Sequence, residues 1–173
     1  MMSKTMQDAL NEQMKHEFYS SYLYLSMSAY CDRANLPGLA RWMRAQAREE
    51  TTHAMKIFDH VLDRGGKIEL KYLAGPPADF ASPRDVFDQA HQHEQQVTAS
   101  INRVYGLAVD ERDFASTVFL DWFVREQVEE EKTSGLLAEQ FRMVGEDRPG
   151  LLMLDRELSQ RKSGEVESPS NPT

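Results

Sequence analysis

Arg48-Glu49-Glu50-Thr51-Thr52-His53 places a glutamate and a histidine three residues apart, so Glu50 and His53 leave the same face of one helix. That face is otherwise apolar. It reads Leu36, Leu39, Met43, Ala47, then Glu50 and His53, then Ile57 and Val61. An ionised carboxylate on a core-facing stripe is costly unless a partner neutralises it. The fold follows from asking which other segments bring partners to the same height.

Three further segments do. From Ser3 to Asp32 the chain has neither Gly nor Pro, and its stripe is Leu10, Met14, Glu17, Tyr24, Met27, Cys31. Roughly 30 helical residues make a rod of about 45 Å, with Glu17 near its middle. A short break at residues 33–38 follows, where Asn35 and Pro37 suit the start of a second helix running to Gly65-Gly66. So short a connection implies an antiparallel pair. Residues 66–82, with Pro76-Pro77, show no helical period; about 17 extended residues span about 56 Å. This loop is expected to be a long crossover, so that the third helix starts at the same end as the second. Ser82-Pro83-Arg84-Asp85 signals that start. The third stripe, to about Val109, is Phe87, Ala90, Glu94, Val97, Ile101, Val104. After the polar turn at 110–113, a fourth helix reaches Gly145 with stripe Phe119, Phe123, Gln127, Glu130, Leu137, Phe141. Asp147-Arg148-Pro149-Gly150 reads as a further break before a short apolar fifth helix from Leu151 to about Arg161. The expectation is an all-α four-helix bundle forming one domain over residues 1–161, with a disordered tail over 162–173.

Composition supports this and limits function. Nine Gly and seven Pro in 173 residues suit a helical chain, and a net charge of −8 disfavours nucleic acid or an anionic membrane and favours cations. One cysteine, Cys31, supplies no disulfide framework and no multi-cysteine metal site. No membrane span and no signal peptide are legible, so a cytoplasmic setting is expected.

With 28 Asp plus Glu in the chain, any single Glu belongs more often on a solvated face, and a lone His more often in a satisfied structural role. Four polar interruptions near four helix midpoints are another matter: Glu17, Glu50 with His53, Glu94, and Gln127 with Glu130. Midpoints of antiparallel helices lie at one height, so these side chains should converge. Clustered buried carboxylates cannot all ionise without a cation, and oxygen donors with one imidazole suit a pair of iron ions. Tyr24 reads as a packing aromatic whose hydroxyl reaches a carboxylate, with a redox group as the alternative reading. Glu49, Glu126 and Glu129 lie one residue before Glu50, Gln127 and Glu130, on a flank able to hold another cation.

At these residues the chain resembles the bacterial non-haem ferritins. The likeness spans Leu10 to Ser159. It rests on Asn11-Glu-Gln-Met14, Glu17-Phe-Tyr-Ser-Ser21, Glu49-Glu50-x-Thr-His53, His93-Glu94-Gln95 and Trp122-Phe-Val-x-Glu-Gln-x-Glu-Glu-Glu-Lys132. It implies a ferritin-like bundle with a ferroxidase centre. Glu17, Glu50 and His53 would surround one iron, and Glu50, Glu94 and Glu130 the second, with Gln127 close by. Glu49, Glu126, Glu129 and Glu130 would form a third iron site, with Tyr24 and Trp122 beside the centre. The resemblance further implies a homo-oligomeric 24-subunit cage that stores ferric mineral, with Fe²⁺ and O₂ or H₂O₂ as substrates. Bacterioferritins differ: they carry a second Glu-x-x-His where this chain has Gln127-Val-Glu-Glu130, and a haem-ligating Met where it has Thr51. No haem is therefore expected. Rubrerythrins add a four-cysteine iron domain, which one Cys cannot supply, and mini-ferritins lack the fifth helix and place their iron ligands across a subunit interface. A di-iron oxidase or peroxidase without storage, and a metal-free structural bundle, are the alternative functions. Asp113 and Asp121 are candidates for an iron entry route.

Overall fold

The computed structural model describes residues 2–160. Five helices follow in order: α1 Lys4–Arg33, α2 Pro37–Asp63, α3 Pro83–Asp110, α4 Phe114–Val144 and α5 Arg148–Leu158. No strand occurs among the described residues. The expected tail over 162–173 lies outside them.

Local chemistry sets most of the helix ends. Ser3 and Ser82 cap α1 and α3 by accepting from the backbone N–H groups of Met6 and Asp85. Three helices end in the same double bond. At α2, Gly65 (φ 68°) donates to Leu62 O and Gly66 to Val61 O. Asn35 (φ 59°) and Arg112 (φ 54°) take the corresponding left-handed position after α1 and α3. Asn35 thus stops the first helix rather than starting the second, because a short amide side chain tolerates positive φ. The fifth helix also begins earlier than the sequence suggests. Asp147 accepts from Gly150 N at 2.9 Å, and Pro149 in the first turn lacks only an N–H the helix would not use, so 148–150 are helical.

Side-chain bonds give the directions. Ser28 and Ser21 of α1 donate to Ala40 O and Ala47 O of α2, so the pair is antiparallel. The crossover then runs the length of α1. Asn11 donates to Lys67 O and accepts from Glu69 N, Ser26 donates to Pro77 O, and Arg33 donates to Ala78 O. It therefore delivers α3 to the end where α2 began, as expected. Bonds Gln127–Glu94 and Arg142–Asp88 make α3 and α4 antiparallel.

Every residue of the first three stripes is buried. The core is nevertheless split. One apolar cluster gathers Met27, Met43, Phe87 and Phe141 at one end, and another gathers Leu10, Ile57, Ile101 and Phe123 at the other. The polar interruptions lie between them.

Helix α2 starts at Leu36, which offers no capping side chain. Its orphan N–H groups are served from α5, where buried Asp155 accepts from Leu39 N at 2.9 Å. The approach is close: a Cβ on Gly38 would lie 1.7 Å from Asp155 O. Leu151, Leu154 and Leu158 pack on the adjacent apolar cluster. Part of the fifth helix's apolar surface therefore serves its own chain, while Leu152 and Met153 remain exposed. Asp155→Ala should lower stability by about 1–2 kcal/mol in denaturant unfolding. Gly38→Ala should cost more and release α5. Wild-type melting of both variants would contradict this docking.

Candidate metal centre

Four helices place the site because each interrupts its apolar stripe once. Glu17 comes from α1, Glu50 and His53 from α2, Glu94 from α3, and Gln127 and Glu130 from α4. All are between 1% and 7% exposed. The ligating atoms of Glu17, Glu50 and His53 lie within 4.8 Å of one another. His53 Nδ1 is 3.2 Å from Glu50 Oε2 and 4.0 Å from Glu17 Oε2. Glu94 forms the other side. It accepts from the Tyr24 hydroxyl at one oxygen and from Gln127 Nε2 at 3.3 Å at the other.

Burial dominates the electrostatics. It pushes the Glu17 carboxyl up to about 7, against the hydrogen bond from Gln13. It pushes Glu50 well above the usual carboxylate range, reinforced by Glu94, Glu17 and Glu130, so Glu50 feels every other acid of the set. Burial raises Glu94 too, opposed by its bonds from Tyr24 and Gln127. His53 is pushed down to about 4 by burial, with Lys56 adding to it, so its imidazole is neutral and able to ligate. Glu17 Oε2 and Glu50 Oε1 are buried with no hydrogen-bond donor. A proton on Glu50 or a cation relieves this; a water-free, fully ionised set does not.

Aromatic walls close the centre. Trp122 meets His53 edge-on at 5.2 Å and carries Lys56 Nζ 4.4 Å from its ring centroid. Tyr24, buried and with its hydroxyl held above its usual range by burial and the surrounding carboxylates, abuts Trp42 at 6.4 Å. On the flank, half-buried Glu126 is raised by burial and then by Glu49 and Glu129, which places three acids near one another. Asp113, a candidate for iron entry, is committed elsewhere: it caps α4 and accepts from Arg64 at 2.9 Å. Asp121 accepts from the Tyr105 hydroxyl at 3.1 Å. Two buried residues escaped sequence reasoning. Gln13 donates to Glu17 Oε1 and Gln46 to Glu130 Oε2, each at 2.7 Å. Their spacing, four residues before Glu17 and before Glu50, is the only sequence signal that could have found them.

A helical bundle with a waist of buried carboxylates around one neutral imidazole belongs to the class of bundles whose cores can hold metal ions. Residues 7–144 match the ferritin-like domain. A bacterial non-heme ferritin of Staphylococcus haemolyticus is 37% identical over 165 residues, covering 95% of this chain and 99% of that one. A probable bacterial non-heme ferritin-like protein of Haemophilus influenzae is 35% identical over 158 residues, covering 91% and 96%. Among solved structures, an open pore ferritin from the archaeon Archaeoglobus fulgidus superposes with a TM-score of 0.93 at 46% identity, over 94% of this chain and all of that one. An engineered closed form of the same ferritin gives 0.93 at 45%. The chain belongs to the ferritin family. Iron binding, ferroxidase activity and iron storage come with that membership.

The acid cluster predicts a pH signature of the metal-free protein. The folded-state pKa of Glu17, about 7, lies above its ordinary 4.5. Its contribution to stability is therefore fully present below pH 4.5 and is lost as pH rises through 7. Glu17→Gln removes that loss. After chelation, the variant's stability relative to wild type should grow by on the order of a few kcal/mol from pH 4.5 to 7.5. A difference independent of pH would count against the burial argument.

Proposed function

We propose that Glu17, Glu50 and His53 hold one Fe²⁺ and Glu50, Glu94 and Glu130 a second, with Glu50 bridging and Gln127 alongside. One observation carries this reading: two carboxylate oxygens, on Glu17 and Glu50, are buried without any donor beside a neutral His53. A cation supplies what they lack. Iron here is substrate and cargo. Two Fe²⁺ give up one electron each; with two protons these reduce O₂ to H₂O₂, or H₂O₂ to two waters. The protein's share is positional and electrostatic. Clustered carboxylates favour Fe³⁺ over Fe²⁺ by charge, and the flanking aromatics limit water. Tyr24 anchors Glu94 through its hydroxyl, and this positioning supports the packing role over a redox one.

Glu49, Glu126 and Glu129, together with Glu130, form a third cation site by which oxidised iron leaves the centre. The domain through residue 161 assembles with copies of itself into a 24-subunit cage in the cytoplasm. Two kinds of side chain support assembly. Leu70 and Tyr72 on the crossover are 73% and 84% exposed, and Met153 on α5 is 71% exposed, surfaces a lone chain would leave in water.

The test joins size to chemistry. Purified protein should elute at many times 19.9 kDa and take up O₂ rapidly when anaerobically loaded Fe²⁺ is exposed to air. Glu50→Ala/His53→Ala should keep the size and lose the rapid phase, by at least about 100-fold. Glu126→Gln/Glu129→Gln should keep the first oxidation of two irons per chain and slow later turnovers. Equal rates in wild type and the Glu50→Ala/His53→Ala variant would overturn the assignment of the centre.

A further inference from the structure

Each side of the centre has a glutamine behind it. Gln13 and Gln46 are 1% and 0% exposed, deeper than most of the ligands themselves. A buried amide far from water needs its partners fixed, and both have a carboxylate oxygen of the centre as acceptor. Gln13 Nε2 donates to Glu17 Oε1, within one helix. Gln46 Nε2 on α2 donates to Glu130 Oε2 on α4, across the bundle. Gln13 is itself oriented, because Ser100 Oγ on α3 donates to its Oε1 at 2.6 Å. Exchanging its amide N and O would set oxygen against the Glu17 carboxylate oxygen and forfeit that bond. Ser100's only hydrogen is thereby used, so at 3.0 Å the His16 Nδ1 is the donor to Ser100 Oγ. A directed chain thus runs from His16 through Ser100 and Gln13 to Glu17.

The chain divides the two oxygens of Glu17 by task. Oε1 is taken by Gln13, while Oε2 has no donor and is the atom 4.0 Å from His53 Nδ1. Resting on the iron-centre reading above, we propose that Gln13 and Gln46 are positioning residues of that centre. Each donates to one oxygen of a ligand carboxylate and so fixes how that carboxylate is presented to iron, Gln13 on the Glu17 side and Gln46 on the Glu130 side. An amide is suited to this. Its N–H groups donate to a carboxylate without adding charge, and a fixed donor removes the rotation the carboxylate would lose on binding metal.

The division of labour is testable with Co²⁺, a divalent probe that absorbs visibly and binds without oxidation. Full-length wild type, Gln13→Met and Gln46→Met would be titrated anaerobically by calorimetry and absorbance. Methionine keeps the volume and removes the donor. Wild type should bind two Co²⁺ per chain at sites lost in Glu50→Ala. Gln13→Met should weaken one of the two by about 10–100-fold, and Gln46→Met the other. Adding Glu17→Gln to Gln13→Met should weaken that same site further and leave the other intact, whereas adding Glu130→Gln should remove the remaining tight site. Gln13→Asn keeps the amide but falls one methylene short. It should behave like Gln13→Met, which covers a folding failure of the latter. In Fe²⁺ oxidation both variants should raise KM more than they lower kcat. Unchanged affinities, or equal loss at both sites with a matching fall in apo-protein Tm, would overturn the positioning role. A wild type whose Co²⁺ binding ignores Glu50→Ala would instead remove the iron-centre reading beneath it.

Discussion

Four carboxylates held inside a helical bundle, at one height and out of reach of water, are the constraint on which the molecule turns. A core of this size could have been closed with leucine. It instead has an apolar cluster at each end and a polar layer between them. The apolar ends stabilise the bundle enough to hold acids that burial drives toward their neutral forms. The waist contributes specificity of function rather than stability. Its acids are tolerable because each has at least one donor in Gln13, Gln46, Gln127 or Tyr24, or a cation's worth of unmet demand. That demand suits the waist to a cation.

Much of this was readable in the sequence because helices convert spacing into faces. Glu17, Glu50, His53, Glu94, Gln127 and Glu130 stood out as polar residues on apolar stripes, and burial agrees for every one. The route of the crossover followed from its length and from the need to return along a helix. The parts that stayed hidden share a cause. Gln46 and Asp155 act on partners 84 and 116 residues away, and Gln13, though one turn before Glu17, is oriented by Ser100, 87 residues on. A glutamine or aspartate on a helix carries no periodic signal that distinguishes such work from exposure. Asn35 and the 148–150 turn were misread for a related reason. Asn, Pro and Gly mark helix ends in either direction, and only backbone angles decide which end.

The comparison with relatives bears on the same division. Identity near 35–46% over almost the whole chain, with a TM-score of 0.93 against the archaeal ferritin structures, means that more than half of the matched positions differ while the backbone course is shared. What has to be kept is the height of each polar interruption on its helix. Two antiparallel pairs of rods, each closed by a short turn and joined by one long strap, preserve that height, because a helix cannot slip by less than a turn without moving its polar residue off the stripe.

The bond from Asp155 to Leu39 has a consequence for how the protein is made. A chain leaves the ribosome from its N-terminus, so α2, which carries Glu50 and His53, is complete long before Asp155 exists. During that interval its first turn has no side-chain cap of its own. The helix that carries His53 is thus finished by a segment that emerges only after all four long helices. Synthesis cut short before residue 155 would yield all four long helices and the whole buried polar layer, on a scaffold whose second helix still frays at its start.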